Sequence, residues 1–141
     1  MIIPMGLNSS LPSTMTFEDI QHAITSPDKY RLICTLVISE SHCLIQGTIP
    51  IEREEMLINT MLNTSSKHTG HIIIYGKHAN DRSVITRYTQ LKTLGFPNVY
   101  IYLGGMFEWM LLQDIYGDSL FPTTTRVIDL LVYKPPQTIV L

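Results

Sequence analysis

The chain has 141 residues, of which 45 % are apolar and 16 % charged. A chain of that length makes one ordinary domain, able to bury roughly 70 % of its unfolded surface without staples. A formal charge of −2 and an isoelectric point near 6.2 supply no positive field for a phosphate backbone, so nucleic acid is not expected as a partner. Two cysteines, Cys34 and Cys43, form neither a disulfide framework nor the paired spacing of a zinc site. No metal and no cofactor are expected, and a reducing, cytoplasmic location is. Met1 to Ser13 has no basic start followed by an apolar stretch, unlike a signal peptide. The longest apolar runs, Met110 to Leu112 and Ile72 to Tyr75, fall far short of the ~20 residues that span a bilayer. A soluble protein with no membrane partner is expected.

Thr16 followed by Asp19 forms a capping-box pattern, and Phe17, Ile20 and Ile24 then share one helical face, giving a first helix that ends near Pro27. Tyr30 to Val37 is a nearly continuous apolar run, as in a strand covered on both faces. Gly47 to Ile51 is a shorter candidate strand. Glu52, Glu54 and Glu55 favour a helix start, with Met56, Leu57, Met61 and Leu62 as its apolar stripe, and this helix fades in the polar stretch from Asn63 to Gly70. His71 to Tyr75 carries three consecutive isoleucines, too short for a helix and suited to a central strand. After a polar loop, Ser83 is placed to cap a helix bearing Val84, Ile85, Tyr88, Leu91 and Leu94, stopped by Gly95. Val99 to Leu103 is the next strand, and Met106 to Ile115 another helix, closed by Gly117. Such alternation implies a parallel sheet with helices on both faces and a site at the carboxyl ends of the strands, here the loop after Tyr75.

The segment Leu94-Gly95-Phe96-Pro97-Asn98-Val99-Tyr100, followed by Gly104-Gly105-Met106-Phe107-Glu108-Trp109, is similar to a motif of the rhodanese-like superfamily. That superfamily includes sulfurtransferases, cell-cycle phosphatases, arsenate reductases and many non-catalytic domains. Paired glycines let the backbone turn tightly and approach the catalytic loop, and the tryptophan anchors the core. Leu44-Ile45-Gln46-Gly47-Thr48-Ile49 resembles a further family segment, with Leu44 in place of its histidine and Thr48 in place of its alanine. At the end of the preceding strand the family often carries Asp-Val-Arg, where this chain has Cys34-Thr35-Leu36. The resemblance implies an α/β rhodanese-like fold, a mostly parallel sheet of about five strands with helices on both faces. It covers residues 16–117, between an irregular segment 1–15 and an extension 118–141 that packs on the domain or trails from it.

In the family, the strand equivalent to His71 to Tyr75 leads into a catalytic cysteine. Here that position is Gly76, which offers no thiolate for persulfide transfer or for a cysteinyl-phosphate intermediate. Five residues separate Gly76 from Arg82, the spacing of the phosphatase and arsenate-reductase branch, one longer than in typical sulfurtransferases. The loop Gly76, Lys77, His78, Ala79, Asn80, Asp81, Arg82, Ser83 is therefore the candidate oxyanion cradle, with the helix start at Ser83 supplying a positive dipole end. Arg82 reads either as an anion clamp or as a surface charge near a helix start. Lys77 and His78 lean towards solvated loop residues. Asp81 opposes an anion and is a candidate partner for Arg82. Phe107, Trp109, Tyr100 and Tyr102 read as packing.

Two functions follow from these residues. The first is a catalytically inactive rhodanese-like module that binds a protein partner or, weakly, an oxyanion. The alternative is a sulfurtransferase or phosphatase-like enzyme using a non-standard thiol. For that, Cys43 beside His42 is the one candidate, although neighbouring side chains in an extended segment point apart.

Overall fold

The computed structural model describes residues 11–140, so most of the N-terminal segment lies outside the described residues. Within them, β1 (Thr14–Met15), β2 (Tyr30–Cys34), β3 (His71–Tyr75) and β4 (Val99–Tyr102) form one sheet of order β1-β4-β3-β2. Every pairing in it is parallel. Each parallel connection needs a crossover, and the helices that make them cover both faces. They are α1 (Phe17–Ala23), α2 (Ile51–Leu62), the short α3 (Ser66–Thr69), α4 (Arg82–Thr93) and α5 (Gly105–Tyr116).

Alternation along the strands divides the core in two. Ile72 and Ile74 of β3, with Ile33, Val99 and Ile101, pack against Ile58 and Met61 of α2 and Val84, Tyr88 and Leu91 of α4. Ile73 and Tyr75 face the other way, towards Ile20 and Ala23 of α1, Met106, Trp109 and Met110 of α5, and Phe121 and Tyr133. Burial of β3 on both faces is what its isoleucine run requires, and the strand is interior to the sheet as expected.

Several expectations are corrected. Among the described residues the sheet has four strands, because the candidate strand Gly47 to Ile51 contributes a single parallel bridge, Thr48 to Leu32. Gly47 at φ 90° and Pro50 at the start of α2 interrupt extended pairing on either side. Thr14 and Met15 are not irregular but pair with Ile101 and Tyr102 at the sheet edge. β2 stops at Cys34 rather than Val37. Met56 is exposed, and Ile58 joins Met61 as the buried stripe of α2. The capping box of α1 is present in full, with Asp19 N–H donating to Thr16 Oγ1 and Thr16 N–H to Asp19 Oδ2.

The C-terminal extension packs on the domain. Trp109 Nε1 donates to the Pro122 carbonyl at 3.1 Å, Gln113 Nε2 donates to the Phe121 carbonyl at 2.8 Å, and Thr123 forms an antiparallel bridge with Ile45. A 3-10 turn (Leu130–Tyr133) then buries Tyr133. No helix among the described residues is long and apolar enough to cross a membrane.

Candidate functional site: the loop after β3

The loop 76–81 leaves the carboxyl end of β3 and runs into α4, beside the end of β2. Thr35 N–H donates to the Tyr75 carbonyl at 2.9 Å, which holds Thr35 next to Gly76. From the opposite side, Met106 N–H and Phe107 N–H donate to the carbonyls of Gly76 and Lys77 at 2.9 and 2.8 Å. The first free amides of α5 thus fasten the outer rim of the loop. The paired-glycine motif explains how α5 comes so close. Gly105 sits at φ +65°, and a Cβ on it would lie 2.6 Å from the Gly76 carbonyl oxygen and 3.1 Å from His78 N. Both the backbone conformation and the space demand glycine there.

Gly76 is buried, and the space above it is already filled. A Cβ built on Gly76 would lie 2.6 Å from Asp81 Oδ2, 2.7 Å from Val84 Cγ2 and 2.9 Å from Thr35 Oγ1. The Asp81 carboxylate takes Lys77 N–H on Oδ2 at 3.0 Å, and Ser83 N–H and the Ser83 hydroxyl on Oδ1 at 3.1 and 2.6 Å. Ser83 Oγ also lies 2.7 Å from Thr35 Oγ1, tying the loop to the end of β2. Burial pushes the Asp81 carboxyl up, but the Ser83 hydroxyl, the two amides and the nearby His78 outweigh it, and its pKa lies below the usual carboxylate value.

The cap of α4 is Asp81, not Ser83, which stands in the first turn. Asp81 is not paired with Arg82 either. Arg82 is exposed, and among the described residues its guanidinium makes no hydrogen bond or ion pair. Lys77 Nζ is drawn off to Glu40 Oε2 at 2.8 Å, while His78 Nδ1 accepts from Asn80 N–H at 3.1 Å. Ala79 and Asn80 are exposed at the tip. The eight candidate residues therefore form one continuous loop and helix start, but the group that converges on its interior is a carboxylate. The two cations turn elsewhere. The sequence does not mark Thr35 and Glu40 as parts of this loop, since nothing in a lone Thr or Glu some forty residues upstream signals a contact across the sheet end.

Neither cysteine serves this loop. Cys34 is buried at the end of β2, and burial, with Glu54's charge adding to it, raises its thiol to about 11. Cys43 has no exposed surface, and its sulfur is 3.5 Å from the Thr125 carbonyl. Tyr133, whose hydroxyl is buried without a hydrogen-bond partner among the described residues, is raised to about 12 by burial and then by Cys43. Beside the loop, Pro12, Thr14, Val84, Ile85, Ile101 and Leu103 line a groove of about 500 Å³ together with His78 to Arg82 and Thr86.

A parallel sheet sandwiched between helices, with a tight loop running from the end of an interior strand into a helix, defines a doubly wound α/β domain, the class whose ligand sites lie at the strand ends. The chain belongs to the rhodanese-like domain family, whose model matches residues 20–112. None of the curated proteins compared matches it. Among solved structures it is similar to the Alr3790 protein of Anabaena sp., at 19 % identity over 81 % of this chain and 94 % of that one, with a TM-score of 0.57. It is also similar to a single-domain sulfurtransferase of Saccharomyces cerevisiae, at 20 % identity over 79 % and 97 % of the two chains, with a TM-score of 0.55. A third is the As-Sb reductase of Leishmania major, at 20 % identity over 77 % and 81 %, with a TM-score of 0.52. At these identities the likeness concerns the fold.

Proposed function

We propose that this chain is a catalytically inactive rhodanese-like module that binds a protein partner instead of transferring sulfur or phosphoryl groups. The observation that carries the proposal is at Gly76: the position that would hold the attacking thiolate has no side chain, and its space is taken by Asp81. Sulfur transfer needs a thiolate that accepts and releases a sulfane sulfur, and phosphoryl or arsenate chemistry needs one that attacks the oxyanion. A hydrogen-bonded carboxylate at that point repels both kinds of substrate. The substitute thiol, Cys43, is sealed beneath the C-terminal extension, where no substrate reaches it. The apolar side chains Ile85 and Leu103, both about half exposed beside the loop, favour a protein partner over a small charged ligand.

The test is a set of turnover assays on the purified chain: thiosulfate with cyanide, an aryl phosphate, and arsenate with a thiol reductant. The expected result is no rate above that of a Cys34→Ala/Cys43→Ala double variant. Turnover abolished by Cys43→Ser would overturn the proposal and establish the enzyme in its place.

A further inference from the structure

We propose that the loop 76–83 is a self-occupied oxyanion cradle, in which the Asp81 carboxylate stands where both the nucleophile's side chain and a bound anion would be, and so shuts the loop against external oxyanions. The inference rests on the non-catalytic reading above and adds a device to it. Two independent features point the same way. Lys77 N–H and Ser83 N–H, at opposite ends of the loop, aim at the two oxygens of one carboxylate, 3.0 and 3.1 Å away. Separately, Gly76 is a buried glycine with no positive φ, so its backbone would accept a side chain. Space alone forbids one, and the nearest obstacle is Asp81 Oδ2, 2.6 Å from where the Cβ would stand. A glycine at 76 and an aspartate at 81 are thus complementary: the second fills what the first leaves empty.

The neighbourhood is consistent with a closed site. Lys77, the loop's own cation, is held by Glu40, and the hydroxyls of Ser83 and Thr35 are spent on Asp81 and on each other. An incoming phosphate or sulfate would have to displace a carboxylate that is covalently in place and carries like charge. Removing a like charge about 4 Å from the anion is worth a factor of roughly ten or more in affinity.

Inorganic phosphate is the probe, with the backbone amide resonances of Lys77 and Ser83 followed by NMR at constant ionic strength against chloride. Asp81→Gly vacates the space, and glycine remains a tolerable cap for α4. Asp81→Asn keeps the cap and the bulk but removes the charge, so a folded variant is in hand if the glycine variant loosens α4. The wild-type amides are expected not to move. Those of Asp81→Gly should shift and saturate, and those of Asp81→Asn should shift with weaker affinity. Equal shifts in the wild type and the variants would overturn the proposal, because the carboxylate then excludes nothing. No shift in either variant would also overturn it, because the loop is then no cradle even when empty. Neither result touches the non-catalytic reading, which falls only to turnover by the wild-type chain.

Discussion

Restoring a cysteine at position 76 tests the complementarity of Gly76 and Asp81 through stability and reactivity together. A Cβ there meets Asp81 Oδ2 at 2.6 Å, Val84 Cγ2 at 2.7 Å and Thr35 Oγ1 at 2.9 Å, all well inside ordinary van der Waals contact. Gly76→Cys must therefore push Asp81 out of the loop. Overpacking a filled interior costs about 1–3 kcal/mol, and loss of the aspartate cap about 1 kcal/mol more. The sum, about 2–4 kcal/mol, lowers the Tm of a domain this size by roughly 6–14 °C. In an Asp81→Gly background the first clash is absent, so the same cysteine should cost less. The two changes should be non-additive by about 1–3 kcal/mol, as contacting residues are. Reactivity should follow. With Asp81 gone, the new thiol meets the Lys77 and Ser83 amides and the amino end of α4, which favour the thiolate. Iodoacetamide should then alkylate the double variant faster at neutral pH than the single one, and Asp81→Asn should fall between. The four proteins of the cycle are made in a Cys34→Ala/Cys43→Ala background and compared by urea denaturation and alkylation kinetics. Additivity within about 0.5 kcal/mol, together with a thiol no more reactive in the double variant than in the single one, would refute the complementarity.

Gly105→Ala should be among the most damaging single methyl additions to this chain, costing about 2–4 kcal/mol in urea denaturation, since it combines a positive φ with a backbone oxygen 2.6 Å from the new carbon. Asp81 has its carboxyl lowered in the folded state, so the unfolded chain binds more protons and stability falls as pH drops. The contribution is complete above the unfolded value of ~3.9 and is lost as pH falls through the folded value. Melting curves of Asp81→Asn should accordingly show a shallower acid limb than those of the wild type. Truncation after Gly117 removes Phe121 and Tyr133 from the core and takes the Pro122 carbonyl from the Trp109 indole. Trp109 emission should then move to the red, and Cys43 should become reactive to a disulfide reagent, whereas the buried indole and thiol of the intact chain should show blue-shifted emission and protection.

The elements whose order defines the fold were readable because each is driven by a local pattern that tertiary packing did not override. The isoleucine run of β3 can only be satisfied by burial on both faces, and the cap formed by Thr16 and Asp19 needs nothing beyond its own four residues. The elements that depart from the sequence pattern depend on neighbours. Gly47 to Ile51 has the composition of a strand, yet Gly47 at positive φ and Pro50 three residues on, at the start of α2, leave a single bridge in place of a fifth strand. Met56 falls on a plausible apolar stripe but faces solvent, because α2 meets the sheet through Ile58 and Met61. The edge pairing of Thr14 and Met15 has too few residues to leave a periodic trace.

The loop shows a sharper limit. Its residues and length are evident from the sequence, and so is the missing cysteine. From charge alone, Arg82 reads equally as an anion clamp or as a surface charge near a helix start, and Asp81 as the group to be repelled by an anion or paired with Arg82. The structure places Arg82 on the surface and turns Asp81 inward, because helix capping outranks charge pattern here. A carboxylate one residue before α4 gains the Ser83 amide and hydroxyl and the Lys77 amide at once, and it can do so only because position 76 has no side chain to exclude it. The guanidinium, one residue further on and already in the helix, is exposed instead. Gly76 and Asp81 thus have to be read as a pair, and the pairing is a matter of 2.6 Å of space that neither residue type displays alone. A related loop that keeps glycine at the first position but lacks the acidic residue five further on would present empty amides, and on this physical ground would be the better candidate to bind an oxyanion.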